Sequence, residues 1–330
     1  MVHPLSPAET TLLAEPEDDD APERRSAVIS REFHGLRLDK VLVSMADEFS
    51  RNYLQSLIEQ GHVAVDGVVA SSASRKVQAG QRVEIELVPT PESRAFRAEA
   101  LPLPIVFEDE HLLVIDKPAG LVVHPAAGNW SGTLLNGVLA HHAAAATLPR
   151  AGIVHRLDKD TSGLMVVGKT LQAVTALVRA IAAREVHREY QALVHGHLMQ
   201  ASFRIDAPLA RDPQSRVRMA IVPSGKPAQT DVTRVAMAET EEGWVTAVRC
   251  KLHTGRTHQI RVHLASRGHP LVGDQMYGGR PALGLQRQAL HAARLGFVHP
   301  QTNEALWFEA EPPADLAHAW QQVDTRRGGL

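Results

Sequence analysis

The chain has 330 residues, of which 44% are hydrophobic, and its formal net charge is −2. That length fits two domains, or one large domain with an attachment, and it can bury a sizeable core. The single cysteine, Cys250, excludes an internal disulfide framework and a thiolate-rich metal site. The sequence has neither an apolar run long enough for a transmembrane helix nor the basic start and apolar middle of a signal peptide. We therefore expect a cytoplasmic protein without a membrane partner.

Composition divides the chain into five parts. Residues 1–28 are acidic and rich in proline, which predicts a disordered tail. A compact unit follows over residues 29–90, and the prolines of VPTPESRAFRAEALPLP predict a linker over residues 91–103. The remaining pattern predicts a larger domain over residues 104–322 and a short C-terminal tail over residues 323–330.

The compact unit combines helical and strand patterns. Apolar residues at helical spacing predict one helix around residues 38–45 and a second around residues 54–58, with Ser50 as the N-cap of the second. Asp66-Gly67, between two short apolar runs, predicts a hairpin turn, and RVEIEL alternates like a strand.

Strands and helices mix beyond residue 104 without a strict βαβ alternation. Residues 105–107 and 112–115 have strand-like patterns, and residues 133–142 and 171–183 have helical ones. These patterns predict the α+β class. A glycine-rich phosphate loop after a strand is missing, so a nucleotide cofactor is not indicated.

Charge is distributed unevenly along the chain. Residues 1–20 hold six acidic and no basic residues, and residues 301–330 hold five acidic and two basic ones. Residues 251–300 instead hold seven Lys or Arg and one acid, Asp274. Such a basic segment attracts a polyanion through the release of counterions. An ordinary solvated surface explains the same charges, so charge alone leaves the partner open.

Four segments concentrate charged, aromatic and glycine residues. They are VIDKPAGLVVHP, GIVHRLDKDTSGLMVVGKT, REVHREYQALVHG and KLHTGRTHQIRVHLASRGHPLVGDQMYGG. HRLDKDTSG, followed by TGRTHQIRVHL and GHPLVGDQMYGG, resembles the RluA-type family of pseudouridine synthases, and residues 31–88 resemble the S4 RNA-binding domain. VVHPAAGN and PRAGIVHRLDKDTSGLMVV are most similar to the members that modify large-subunit ribosomal RNA.

The resemblance implies an S4-like domain followed by a synthase domain with a mixed, mainly antiparallel sheet and a central cleft. It implies an enzyme that isomerises uridine in RNA, replacing the nitrogen–carbon bond at the sugar with a carbon–carbon bond. This reaction needs no redox cofactor, metal or ATP, and the sequence has no motif for any of them, so we expect no cofactor and no metal. It does need an ionised carboxylate.

Asp158 is the carboxylate to which the resemblance assigns this role. Attack on the sugar carbon, addition to the base ring and removal of a sugar proton are all open as its route. An Asp between strands is more often structural, pairing a neighbour such as Lys159 or capping a turn. Asp160, which begins Asp-Thr-Ser-Gly, is interpreted in that way.

Arg156 lies two residues before Asp158, so both side chains point the same way if the segment is extended. A uridine in folded RNA must leave its stack before its sugar can be reached, and a planar guanidinium can fill the vacated space. The resemblance gives this base-flipping role to Arg156, and a plain salt bridge to Asp158 is the alternative. His155 and Leu252 are also predicted to contact the substrate.

Tyr190 and one arginine complete the predicted catalytic set. The ring of Tyr190 can stack on the extruded uracil, and its hydroxyl can assist proton transfer. A carboxylate shielded from water stays ionised when a cation lies beside it. We prefer Arg256 as the cation beside Asp158, with Arg261 as the alternative. The arginine that does not pair is expected to meet RNA phosphate.

The S4-like unit is slightly acidic, with seven basic and eight acidic residues over residues 31–88. RNA binding there must come from clustered basic side chains. The predicted contacts are Arg37 and Lys40 on one face of the first helix, Arg51 at the start of the second helix, and Arg75 and Lys76 on a loop.

Two classes of function fit these features. An enzyme needs Asp158, Tyr190 and Arg256 together, whereas a non-catalytic ribosome-assembly protein that binds RNA has no reason to keep all three. We therefore expect a monomeric RNA pseudouridine synthase whose partner is 23S rRNA or its large-subunit precursor, acting in the stem-loop near the decoding site. A sister synthase for other 23S rRNA or tRNA uridines is the alternative.

Overall fold

The computed structural model describes residues 23–47, 49–88, 95–126, 128–215 and 217–324. The chain forms two compact units, Met1–Arg94 and Ala95–Leu330. Much of the predicted acidic tail, part of the predicted linker and the end of the predicted C-terminal tail lie outside the described residues.

The N-terminal unit contains a four-stranded antiparallel sheet and two helices. Its strands are β1 (Glu23–Val28), β2 (Val63–Val65), β3 (Val68–Val69) and β4 (Arg82–Leu87), in the order β1-β4-β2-β3. The helices are α1 (Leu38–Met45) and α2 (Arg51–Glu59). Apolar side chains of both helices and of β2 and β4 form one buried cluster, because each element is apolar on a single face.

Local signals placed these elements well. The Ser50 hydroxyl accepts a hydrogen bond from Tyr53 N at 3.3 Å, which confirms the predicted N-cap. Asp66 and Gly67 both have positive φ, as a two-residue hairpin turn requires, so that prediction is also confirmed. The prediction of disorder up to residue 28 is wrong for residues 23–28, because they pair with β4 as strand β1.

The C-terminal unit is built on a nine-stranded sheet. The strand order is β5-β6-β7-β14-β8-β13-β12-β9, and β15 pairs with β14. Among the described strands only β7 and β14 pair in parallel, so the predicted mixed, mainly antiparallel sheet is confirmed. The strands are β5 (Ile105–Glu108), β6 (Leu112–Lys117), β7 (Ser162–Gly168), β8 (His187–His195), β9 (Ser202–Asp206), β12 (Gln229–Thr240), β13 (Gly243–Leu252), β14 (Leu290–Val298) and β15 (Ala305–Glu309), with a separate hairpin of β10 (Leu209–Arg211) and β11 (Met219–Ile221).

Four helices accompany this sheet. They are α3 (Leu134–His141), α4 (Leu171–Ala183), α5 (Gln259–Ser266) and α6 (Ala314–Asp324). Successive residues of β6 alternate between two buried clusters, one shared with α3 and α5 and the other shared with α4. Both faces of this part of the sheet are therefore covered. In the described part of the chain, no helix has the length and apolar character needed to cross a membrane.

Two predicted boundaries need correction. Residues 95–103 are packed on the C-terminal unit, because Asn136 Nδ2 donates to the carbonyls of Ala95 and Arg97 and Leu103 packs against the core. They are not a free linker. The predicted C-terminal tail also begins too early, because Val323 is fully buried within α6.

Candidate active site

A cleft of about 550 Å³ opens in the C-terminal unit. Its size falls within the range of small-ligand pockets, about 300 to 1,000 Å³. Segments far apart in sequence line it, including the 153–158 knot, one face of β8 and the stretch that leads into α5. The structure brings to this cleft all seven site residues predicted for the larger domain, namely His155, Arg156, Asp158, Tyr190, Leu252, Arg256 and Arg261.

Asp158 lies on a loop that enters β7. The preceding residue, Leu157, is buried in the core and fixes the start of the loop. Thr161 N donates to the Asp158 carbonyl at 3.1 Å and closes a turn. The sequence suggested a turn that begins at Asp160, whereas this turn begins at Asp158. The Asp158 side chain is 15% exposed, so it reaches the cleft from an anchored backbone.

A buried lysine also anchors the loop that carries Asp158. Lys117 is fully buried, and its Nζ donates to the carbonyls of Pro118, Leu121 and Lys159 at 2.8, 2.9 and 2.9 Å. Burial lowers the pKa of Lys117 to about 8, although neighbouring carboxylates oppose that shift. These three bonds tie the segment after β6 to the residue that follows Asp158.

Arg261 is the cation that pairs with Asp158. Its Nη1 donates to Asp158 Oδ2 at 3.0 Å. Its Nε and Nη2 donate to the two carboxylate oxygens of Asp274 at 2.7 and 2.8 Å, which is the bidentate geometry that a guanidinium favours. Burial lowers the pKa of Arg261, but the bonds and charges of Asp274 and Asp158 outweigh it and hold the pKa above its usual range.

The prediction that Arg256 pairs with Asp158 is therefore wrong. Helix α5 begins at Gln259, so Arg261 projects from a helix whose residues there are buried. Arg256 lies in the loop before the helix, where its backbone N donates to Gln259 Oε1 at 3.0 Å and its exposed side chain donates to the Pro227 carbonyl at 3.1 Å. Arg256 still lines the cleft, at its solvent side.

His258, which the sequence reasoning missed, faces the second oxygen of Asp158. Its Nε2 lies 3.9 Å from Asp158 Oδ1, and its Nδ1 lies 2.7 Å from the Tyr277 hydroxyl. That hydroxyl also accepts a hydrogen bond from Met219 N, so the His258 ring and this backbone group share one partner. Burial lowers the pKa of His258, which favours the neutral ring beside Asp158. The segment GDQMYGG contained a sequence signal for this part of the site. It supplies Tyr277, which contacts His258, and Asp274, which binds Arg261.

Tyr190 lies on β8, between β13 and β14, where it pairs with Cys250 and Ala292. It is 5% exposed and lines the cleft. Burial is the main cause that raises the pKa of Tyr190 to about 12, and the charge of Asp158 adds to it. The phenol is therefore neutral near pH 7 and can donate a proton, but it cannot act there as a phenolate base.

The other predicted substrate residues differ in how far they are available. Arg156 is exposed at the cleft, and in the region that the structure describes it forms no ion pair with Asp158, so the salt-bridge alternative is not observed. His155 Nε2 accepts from Val166 N at 3.0 Å, and burial lowers the pKa of His155 to about 3. The His155 ring is therefore bonded to strand β7 through Nε2. Leu252 is buried at the end of β13 and contributes an apolar wall.

The N-terminal unit brings most of its predicted RNA contacts together. Lys76 pairs with Arg37 through a β-bridge, and Leu38 N donates to the Arg75 carbonyl. Arg37 is the N-cap of α1 rather than part of the helix, so the predicted helical face shared with Lys40 is wrong. Lys40 and Lys76 are exposed.

A buried carboxylate that the sequence reasoning missed organises two of these arginines. Asp39 is fully buried and accepts from Arg37 Nη2 at 3.0 Å, from Arg51 Nη2 at 2.7 Å and from Gln55 Nε2 at 2.7 Å. The hydrogen bond from Arg37 is the largest cause that holds the pKa of Asp39 well below its usual range. Both arginines remain about half exposed.

Potential metal ligands do not gather in this part of the structure. Within the described ranges, no group of three or more His, Cys, Asp or Glu side chains could hold a metal ion. Cys250 is buried, and burial raises the pKa of its thiol to about 12, so it is a neutral core residue rather than a nucleophile.

Comparisons with known proteins show which families and proteins this chain is similar to. Residues 111–266 match the family model described as RNA pseudouridylate synthase, and residues 36–83 match the S4 domain. Ribosomal large subunit pseudouridine synthase D of Nitrosomonas europaea is 48% identical over 88% of this chain and 85% of its own length. The protein of the same name from Pasteurella multocida is 46% identical over 88% of this chain and 92% of its own length. The solved structure titled Human RNA Pseudouridylate Synthase Domain Containing 1 is 28% identical, with a TM-score of 0.52 over 66% of this chain and 86% of that one.

The fold and the cleft thus define an RNA-modifying enzyme with a separate RNA-binding domain, as the sequence predicts. The chain belongs to the RNA pseudouridylate synthase family, in the group that carries an S4 domain before the synthase domain.

Proposed function

We propose that the chain converts uridine to pseudouridine in the large-subunit (23S) ribosomal RNA, in the stem-loop near the decoding site, with Asp158 as nucleophile. The observation that carries the chemical assignment is Arg261, which is buried between Asp158 and Asp274 at the wall of the cleft. The ribosomal substrate is supported by relatives that match most of this chain and are named ribosomal large subunit pseudouridine synthase D.

The attacking atom is Oδ1 of Asp158. Oδ2 accepts the Arg261 hydrogen bond, whereas Oδ1 has the His258 ring 3.9 Å away, and the residue lines the cleft. The Arg261 charge favours the ionised carboxylate, which is the nucleophilic form. Oδ1 bonds to the sugar carbon as the bond from that carbon to N1 of uracil breaks, and the base leaves with the negative charge. C5 of the turned base then bonds to the sugar carbon and displaces Oδ1, which restores the carboxylate. C5 loses a proton and N1 gains one, so atoms and charge balance.

Arg156 and Tyr190 prepare the nucleotide for that step. Arg156 is exposed at the cleft, where its planar guanidinium can occupy the space left by a flipped uridine. Tyr190 offers a ring for stacking and a neutral hydroxyl for proton donation. Arg256 does not pair with the carboxylate of Asp158. Its exposed side chain, at the solvent side of the cleft, is available to bind RNA phosphate.

The N-terminal unit contributes affinity. The side chains of Arg37, Lys40, Arg51, Arg75 and Lys76 form its basic contact surface. A tethered RNA-binding unit raises the effective concentration of substrate at the cleft without adding to the chemistry. An enzyme of this kind is expected to act in the cytoplasm as a monomer.

Pseudouridine mapping tests this proposal. Ribosomal RNA and tRNA from cells with and without the gene are compared, and the gene is restored as wild type or as Asp158→Asn. We expect loss of pseudouridine in the large-subunit stem-loop, with rescue by the wild type alone. Loss confined to tRNA or to other large-subunit sites would assign the sister-synthase function instead. Unchanged pseudouridine everywhere would overturn the assignment of substrate.

A further inference from the structure

A second buried arginine in the cleft has no role in the chemistry described above. Arg188 lies on β8, two residues before Tyr190, so both side chains leave the same face of the strand and line the cleft. Arg188 is 5% exposed. Its Nε and Nη2 are buried and make no hydrogen bond within the described residues. Burial of an unpaired guanidinium is costly, so such a group calls for an explanation.

The two unpaired nitrogens lie on one edge of the guanidinium. Arg261 uses the same edge, Nε and Nη2, to bind both oxygens of Asp274. The site therefore contains one arginine whose bidentate edge is filled by a carboxylate and one whose bidentate edge is buried and has no hydrogen-bond partner among the described residues. A fork of this kind matches the paired oxygens of a carboxylate or a phosphate.

Acidic side chains near Arg188 are committed elsewhere. Glu189 follows it on the opposite face of β8, where it lies near Arg249 and Arg294. Asp158 accepts from Arg261. The nearby ionisable groups that face Arg188 are the phenol of Tyr190 and the imidazole of His155, both neutral near pH 7. Among the described residues these acids do not pair with Arg188, so a group that comes with the substrate can satisfy its unpaired edge.

The position of Arg188 also depends on a glycine. A Cβ atom at Gly255 would lie 2.7 Å from Arg188 Nη1, so Gly255 leaves room for the guanidinium beside the 253–257 loop. The side chain is thus held by the walls of the cleft, and no acid in the described ranges is bonded to its Nε or Nη2.

We propose that Arg188 turns this unpaired edge into the cleft when RNA enters, and that the edge binds one phosphate of the RNA backbone next to the flipped uridine. A phosphate presents two equivalent oxygens to the fork. Uracil cannot, because the N3–H donor separates its two carbonyl oxygens. This role rests on the proposed function, because that function brings the RNA to the cleft. The bound phosphate would then fix the sugar of the flipped uridine beside Asp158.

A chemical double-mutant cycle tests the contact. The substrate is a short RNA that contains the mapped target uridine, made with a neutral methylphosphonate in place of the phosphate on its 5′ side or on its 3′ side. The full chain is used as wild type and as Arg188→Met, which keeps an unbranched apolar stem and removes the guanidinium and its charge. Binding is measured by fluorescence anisotropy, and product formation is measured under single-turnover conditions.

We expect the neutral linkage at one of the two positions to weaken binding by the wild type about tenfold, the loss of a charged hydrogen-bond pair. For Arg188→Met the same linkage should change binding less than about twofold, since the partner is already missing. Arg188→Lys should retain part of the effect, because the charge persists without the fork. Arg249→Met, which alters the other face of the sheet, should show the full wild-type penalty.

Equal penalties for the wild type and Arg188→Met at both linkages would overturn the proposal, because no phosphate would then depend on Arg188. Circular dichroism checks that each variant is folded, and Gly255→Ala, which displaces the guanidinium without removing its charge, provides a second variant. If mapping places the target outside large-subunit RNA, the proposed substrate fails, and the cycle is run on the RNA that carries it. The two failures are thereby distinguished.

Discussion

Each unit of the chain contains a buried ion cluster, and the two clusters are built in opposite ways. In the N-terminal unit one carboxylate, Asp39, accepts from two arginines and a glutamine. In the C-terminal unit one arginine, Arg261, donates to two carboxylates, Asp158 and Asp274. The carboxylate of the first cluster is buried beneath arginines that are about half exposed, whereas Asp158 and Arg261 of the second cluster line the cleft.

The difference lies in what the clusters leave available. Both oxygens of Asp39 are bonded and its side chain is fully buried, so this carboxylate can only position the arginines around it. In Asp158, Oδ2 accepts from Arg261, whereas Oδ1 lies 3.9 Å from His258 Nε2, and the residue lines the cleft. A buried carboxylate becomes a reactive one when its partner satisfies one oxygen and orients the other.

The largest effect is expected for Asp158→Asn. The amide is nearly isosteric but cannot act as a charged nucleophile, so the single-turnover rate should fall at least about a thousandfold while RNA binding survives. The matched variant Asp39→Asn should keep the chemical rate within about twofold of wild type at saturating RNA, since Asp39 only orients surface arginines. A rate above a tenth of wild type for Asp158→Asn would break the assignment of the nucleophile.

Tyr190 should show a smaller and divided effect. Tyr190→Ala removes both the stacking ring and the hydroxyl, and we expect a loss of about a hundredfold in kcat/KM. Tyr190→Phe keeps the ring, and a loss of about tenfold is expected for the hydroxyl alone. Single-turnover rates of the two variants on the same RNA check this order. Equal losses would mean that the ring contributes nothing to the flipped state.

Asp39→Asn should act on stability instead. Hydrogen bonds from Arg37 above all lower the pKa of Asp39 in the folded unit. The stabilisation is therefore fully present above the unfolded value near pH 4, and it is lost as the pH falls through the lower folded value. Amide hydrogen exchange of α1 and α2 should show a loss of about 2 kcal/mol in the variant at pH 7. Protection in the variant should also become less sensitive to acid, and an unchanged acid response would contradict the assigned pairing.

Removal of the N-terminal unit should have the smallest effect on the chemical step. Because residues 95–103 pack on the C-terminal unit, the deletion should cover residues 1–94 and leave Ala95 in place. We expect weaker binding to structured ribosomal RNA but a rate within about threefold of wild type at saturating RNA. A folded truncation with no activity at any RNA concentration would show that the unit helps to build the site.

Much of this could be predicted from local patterns. Ser50 as an N-cap, the Asp66-Gly67 turn and the boundaries of α4 follow from short-range signals, and the four motif segments do converge on one cleft. The choice between Arg256 and Arg261 could not be made in this way. It depends on where α5 begins, and Gln259 at that start contacts both Thr254 inside the motif and Gln229, which lies on β12 outside it.

Buried polar groups were the second feature that could not be predicted from the sequence. Asp39 looks like an ordinary surface acid of a helix, and its burial becomes visible only when α1 and α2 are packed together. His258 and Arg188 were hidden for a related reason. The role of His258 depends on its contact with Tyr277, which only the fold brings close. The role of Arg188 depends on the buried nitrogens that the fold leaves without a hydrogen-bond partner among the described residues.

The central claim, that Arg261 rather than Arg256 sustains the reactive carboxylate, has a direct test. Single-turnover rates at saturating RNA are compared for Arg261→Met, Arg261→Lys and Arg256→Met, each checked for folding by circular dichroism. We predict a loss of about a hundredfold for Arg261→Met, a smaller loss for Arg261→Lys, and a change below about threefold for Arg256→Met, which should mainly raise the RNA concentration needed. A hundredfold loss for Arg256→Met with near-normal rates for Arg261→Met would contradict the account.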